Sequence, residues 1–176
     1  LATSNAAINV FGNDHSYSSF MDPAVNENGA LAVFATLADE DGQAILTRSA
    51  DGTWSILAQT GMLAPGTFGG VSFDRFSLPR INNGGQIAFQ ATLAGTGDAI
   101  SNTTDGGIWA QDSNGVLSLI LRKGDTVEVK TGLPGTLEAM EIGGFNSDRQ
   151  IALHASFTNG ATAIAIIGVE DVPRPI

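Results

Sequence analysis

Short apolar runs, each about as long as a strand and each closed by Gly, Asn or Asp, recur along the whole chain. No stretch of helical length keeps a 3.6-residue period. The pattern predicts an all-β fold, and Thr136–Ile142 is the one place where a short helical turn fits.

The runs are not independent. Tyr17-Ser18-Ser19-Phe20-Met21-Asp22-Pro23-Ala24-Val25-Asn26 aligns with Phe73-Asp74-Arg75-Phe76-Ser77-Leu78-Pro79-Arg80-Ile81-Asn82, 56 residues later. Gly29-Ala30-Leu31-Ala32-Val33-Phe34-Ala35-Thr36-Leu37 and Gly85-Gln86-Ile87-Ala88-Phe89-Gln90-Ala91-Thr92-Leu93 follow in register. A third, degenerate copy runs Phe145-Asn146-Ser147-Asp148-Arg149-Gln150-Ile151-Ala152-Leu153-His154-Ala155-Ser156-Phe157. The shared element is Asn-x-x-Gly-x-x-Ala, with Arg149 in the glycine position of the third copy.

Each unit then continues through a third strand (Ile45 and Ile108 correspond) and turns at Asp51-Gly52 or Asn114-Gly115. Such pairs favour the positive φ angles of a type I′ hairpin. The fourth strands are Trp54–Ala58 and Leu117–Leu121. The third copy ends after its third strand, Ala161–Val169, while Ala6–Gly12 stands ahead of copy one where a fourth strand belongs. The sequence thus predicts twelve strands in three four-stranded, propeller-blade-like antiparallel sheets. The N-terminal strand (Ala7, Ile8, Val10, Phe11) is expected to complete the last repeat, within one chain or between chains. The single repeat domain divides into residues 1–14 (that strand), 15–67, 68–136 and the incomplete 137–176.

The recurrent Asn and Gly suit a tight turn, because Asn bonds nearby amides and Gly adopts φ > 0 freely. Phe89 is expected in the core, and Pro23 and Pro79 mark an edge or a bulge in the leading strands.

Composition narrows the function. Hydrophobic residues make up 43% of the 176, charged residues only 15%, and the net charge is −10. That balance argues against nucleic acid, which needs clustered Lys and Arg, and against anionic membrane surfaces. No apolar run reaches a membrane span. Cysteine is absent, which removes disulfides, thiolate metal sites and thiol catalysis. There is no basic-then-apolar leader, and the start at Leu1 suggests a processed product.

Catalytic signatures are missing: no Gly-x-Ser-x-Gly elbow, no phosphate loop, and His15 and His154 without metal-spaced partners. His154 alternates with apolar neighbours and reads as an outward strand residue. A pair of carboxylates converging in space remains the one enzymatic alternative. No cofactor is expected beyond a weak Ca²⁺ candidate at Asp39 and Asp41 in Asp39-Glu40-Asp41-Gly42, with Asp98 and Asp105 of the Gly95–Gly107 loop behind it. Trp54 and Trp109 hold alternating strand positions and read as core or inter-sheet residues, with glycan stacking as the alternative.

Asn82-Asn83-Gly84-Gly85-Gln86-Ile87-Ala88-Phe89 resembles the NxxGxxAF motif of bacterial "choice-of-anchor" tandem-repeat surface proteins. Phe76-Ser77-Leu78-Pro79-Arg80-Ile81-Asn82, Gly124-Asp125 and Pro134-Gly135-Thr136 are similar to their flanking pieces. The resemblance implies export and attachment at the cell surface through varied C-terminal tails, and brings no catalytic residue with it. Residues 170–176 carry no apolar helix and basic tail of that kind. The expectation is therefore a non-enzymatic extracellular or cell-surface structural protein, self-associating by strand exchange into a filament or layer. The alternative is a monomeric carbohydrate-binding module.

Overall fold

The computed structural model describes residues 7–10, 13–38, 42–97, 100–128 and 134–172. Every regular element among them is a strand, as the periodicity predicts, and there are fifteen. The first sheet contains β1 (Ala7–Val10), β2 (Asn13–Phe20), β3 (Ala24–Val25), β4 (Leu31–Leu37), β5 (Gln43–Arg48) and β6 (Trp54–Gln59). Its order is β1-β2-β4-β5-β6, with β3 also on β4. The second holds β7 (Ser72–Phe76), β8 (Arg80–Ile81), β9 (Ile87–Ala94), β10 (Gly106–Gln111) and β11 (Leu117–Arg122), in the order β11-β10-β9-β7 with β8 on β9. The third runs β12 (Thr126–Glu128), β13 (Pro134–Phe145), β14 (Gln150–Phe157) and β15 (Thr162–Gly168) in sequence order.

The excess over twelve strands has a local cause. Pro23 and Pro79 lack the amide that a ladder needs, so both leading strands break there into β2/β3 and β7/β8 on one partner. The third copy has Gly143 at that position, and β13 continues past it with a bulge between Ile142 and Gly144. Thr136–Ile142, where the sequence allows a helical turn, is the middle of β13.

The N-terminal strand is placed differently from expectation. Ala7, Ile8 and Val10 lie in β1, which pairs with β2 of its own repeat (Ala7↔Ser16, Val10↔Asn13) rather than with the third. A short hairpin closes at little entropic cost, whereas pairing across the whole chain would bear the closure entropy of a loop over ten times longer. Phe11 is outside the described residues. The third sheet takes its extra strand from β12, which precedes β13 as β1 precedes β2.

The turns share one geometry, and it is not type I′. Gly52 and Gly115 have φ 97° and 77°, but Asp51 and Asn114 have no positive φ. In each, the residue three before the glycine accepts its N–H (Gly52→Ser49, Gly115→Asp112) and donates its own N–H to the residue after it (Ser49→Thr53, Asp112→Val116). This is a type I turn closed by one left-handed residue. The Asn-x-x-Gly elements fold identically: Gly29 bonds Asn26, Gly85 bonds Asn82, and Arg149 bonds Asn146. Arg149 has φ 59°, a conformation that costs a side-chain-bearing residue about 1–2 kcal/mol.

The sheets stack face to face in chain order. Ala32 and Ile45 of the first meet Phe73, Phe89 and Trp109 of the second in one core. Ala88, Ile108 and Ala110 leave the opposite face of the second sheet and meet Leu137, Ile151 and Leu153 of the third. Phe89 and Trp109 are thus core residues, as expected. Phe73 meets Trp109 edge-on at 5.0 Å between ring centroids, and the Trp109 indole N–H donates to the Pro65 carbonyl at 2.9 Å. Fully burying each such side chain contributes about 1.5–3 kcal/mol.

Candidate functional site at the open end of the stack

A ladder of asparagines runs along one edge of the stack. Asn26 Nδ2 donates to the Asn82 carbonyl at 3.0 Å, and Asn82 Nδ2 donates to the Asn146 carbonyl at 3.0 Å. Meanwhile each Oδ1 accepts the amide four residues on: Ala30, Gln86 and Gln150, at 2.9, 3.0 and 2.9 Å. One side chain therefore shapes its own turn and fixes the next repeat. Asn26 and Asn82 are buried, so a replacement without these groups strands partners away from water. Asn146 is exposed, and its Nδ2 bonds Gln150 Oε1 at 2.9 Å, which ends the ladder within the repeat. The turn role is legible from residue type; the bond between repeats has its only sequence signal in the in-register recurrence of Asn.

The two ends of the stack differ. At the N-terminal end, the face of the first sheet turned away from the second gathers Tyr17, Val33, Ala35, Leu37 and Leu46 into a buried cluster of its own. Phe20, Trp54 and Ile56 lean against it, and β1 comes into contact with β6. At the C-terminal end the third sheet turns Ala152, His154, Ile164 and Ile166 outward. His154 pairs across the ladder with Ile164, and Ala152 with Ile166. The register makes Ile164 the counterpart of Ile45 and Ile108: the three stand opposite His154, Phe34 and Gln90, which align. Ile45 and Ile108 are 0% exposed; Ile164 is 77% and Ile166 68%. The same repeat position is covered by the next sheet twice and uncovered the third time.

The edges of the sheets differ too. β6 and β11 are joined through matching bulges, at Ile45/Leu46 and Ile108/Trp109. β12 is three residues long and carries Glu128. β15 has seven residues, no charge, no proline and an uninterrupted register with β14. Long, regular, uncharged edges of this kind are what folded proteins usually avoid.

A strap, not a fourth strand, follows β15. The buried Asp112 carboxylate accepts the amides of Asn114 and Val116 at 2.8 Å and that of Val172 at 3.1 Å. Asp171 accepts the Ser113 amide at 3.0 Å and bonds the Arg149 guanidinium. Burial raises the Asp112 pKa, but the amides of Val116, Val172 and Asn114 outweigh it and hold the carboxyl below its ordinary value. The Ser113 amide and hydroxyl, with Arg149, lower that of Asp171. These bonds tie Asp171 and Val172 to the β10–β11 turn of the second sheet, while the Val169 amide donates to the Arg149 carbonyl.

The remaining candidates fall as follows. Asp39, Asp41 and Asp98 are outside the described residues. Asp105 pairs with Lys123 at 2.7 Å. His154 is exposed on β14, and His15 lies in β2 opposite Ile8. Trp54 is half-buried and lines an apolar groove of about 430 Å³ with Phe20, Met21, Pro23 and Arg48. Among the described residues, no three His, Asp or Glu side chains gather to hold a metal ion, and no helix is long and apolar enough to cross a membrane.

The model of a family of unknown function (DUF7453) matches residues 4–176. No curated protein and no solved structure matches the chain.

Proposed function

We propose that this chain, which belongs to the family of unknown function DUF7453, is a non-enzymatic structural protein of the cell exterior that associates with its own kind. The observation that carries this reading is the third sheet, where the isoleucine position buried in two repeats faces solvent in the last. Among the described residues no sheet covers this apolar face, and an exposed apolar face favours association. Export and surface display are supported by the low charge and the resemblance to choice-of-anchor repeats. Strand donation by β1 is less favoured than association through the third sheet, because β1 is taken up by β2.

Light scattering across a concentration series tests the reading. The average mass is expected to rise above 18.1 kDa as concentration increases. A mass that stays at 18.1 kDa throughout would rule self-association out. A second reading, glycan binding, is favoured only by the Trp54 groove. A glycan array on which the intact protein finds ligands and Trp54→Ala loses them would support it.

A further inference from the structure

Granted self-association, we infer that the partner is a second copy bound tail to tail, the outer face of one third sheet lying on the same face of the other. The repeat itself supplies the argument. Between first and second sheets, and between second and third, the interface is a sheet face against a sheet face. Ile45 is buried in one and Ile108 in the other. Ile164 repeats that residue on a face with no described sheet beyond it. The missing cover is therefore of one kind, another antiparallel sheet.

Two observations choose the third sheet of a second copy over the head of the stack. The head of the stack is closed except for the groove beside Trp54, since Val33, Leu46 and Tyr17 are already buried within the first sheet's own cluster. The ladder that registers one repeat on the next is also closed, because Asn146 bonds Gln150 within its own repeat. Head-to-tail growth would need both to be open. Edge-to-edge pairing through β15, whose outer edge has no described strand on it, is the competing arrangement, and the variants below separate the two. Two tails related by a two-fold axis cover each other and leave two closed heads outward, so association stops at a pair.

Electrostatics permits this contact and tunes it. Each copy carries −10, yet the outer face of β14 and β15 shows only His154 as an ionisable group, with Glu141 of β13 opposite it. Added salt, which screens the repulsion between two acidic bodies, strengthens the pair. Four strands of this length span an area of about 500 Å² per partner, below the ~800 Å² typical of a stable interface. The pair is accordingly weak and concentration-dependent.

The test uses the full chain and sedimentation velocity from dilute to concentrated solution, at low and moderate salt. Expected is a monomer–dimer equilibrium that ends at twice 18.1 kDa, shifts toward dimer with salt, and is lost in Ile164→Lys combined with Ile166→Lys. Both sites are exposed in the single chain, so circular dichroism should show the variant folded as before. Because the chain has no cysteine, Ala165→Cys provides a second readout. Ala165 is the centre of β15, and an edge-to-edge antiparallel pair centred on that strand would bring the two introduced thiols together as a disulfide, which the tail-to-tail pair would not. A disulfide-linked dimer, growth past two copies, or a dimer untouched by the double lysine variant would each overturn the tail-to-tail arrangement while leaving self-association standing. A monomer under all conditions would overturn both.

Discussion

The first and third sheets answer the same structural problem differently. Among the described residues both lie at an end of the stack, and each has one face without a neighbouring sheet. The first folds that face in on itself, with Tyr17, Leu37 and Leu46 buried and Trp54 drawn over them. The third leaves Ile164 and Ile166 in water. One repeat sequence is therefore compatible with an inner sheet, a closed end or an open end.

The sharpest way to break this comparison is to truncate the same position in each repeat. Ile45→Ala and Ile108→Ala empty a closed core and should each cost about 2–5 kcal/mol in urea unfolding. Ile164→Ala, at the exposed copy, should stay within about 0.5 kcal/mol. Equal losses at all three would mean that the third face is covered in the monomer. The ladder gives a second contrast. Asn82→Ala removes the bond to the Asn146 carbonyl of the next repeat and leaves its own part-buried turn amide of Gln86 unpaired, for about 2 kcal/mol, whereas Asn146→Ala at the exposed end should cost about 1 kcal/mol. Gly85→Ala places a side chain at φ 84° and should cost about 1–2 kcal/mol. Arg149→Gly relieves the same strain but gives up the contact with Asp171, so its net effect should lie within about 1 kcal/mol of zero.

Acid supplies the mildest perturbation. Asp112 and Asp171 have folded pKa values below the ordinary 3.8, so their contribution to stability is fully present above that value. It is lost as the pH falls through the folded values, because protonation removes the acceptors of the Val172 and Ser113 amides. Unfolding free energy measured between pH 5 and about 2 should decline along this limb. Asp112→Asn should make the decline shallower.

Much of this is legible in the chain. The repeat, the strand-only fold, the core placement of Phe89 and the missing fourth strand after copy three all follow from self-alignment and alternation, which depend on local pattern. The differences arise where local pattern does not choose between partners. Ala7–Val10 alternates like any edge strand, and only the low entropy of a local hairpin assigns it to β2. The hairpin type is ambiguous in the sequence because Asp-Gly and Asn-Gly suit two turns; the loop length and the bond to Ser49 or Asp112 select the one present. β12 escapes pattern reading because three residues, Thr126–Glu128, show no periodicity. The inter-repeat bonds of Asn26 and Asn82 need the stack itself, since their acceptors are 56 and 64 residues away.

The central claim is that Ile164 occupies an inter-sheet position left open in the single chain. Thiol labelling of Ile164→Cys and Ile108→Cys, in a chain with no other cysteine, tests it directly. In dilute solution the Ile164→Cys thiol should react as freely as an exposed thiol and the Ile108→Cys thiol should resist. As concentration rises, protection should appear at the first site alone. Protection of the Ile164→Cys thiol in dilute solution, or reactivity that ignores concentration, would contradict the account.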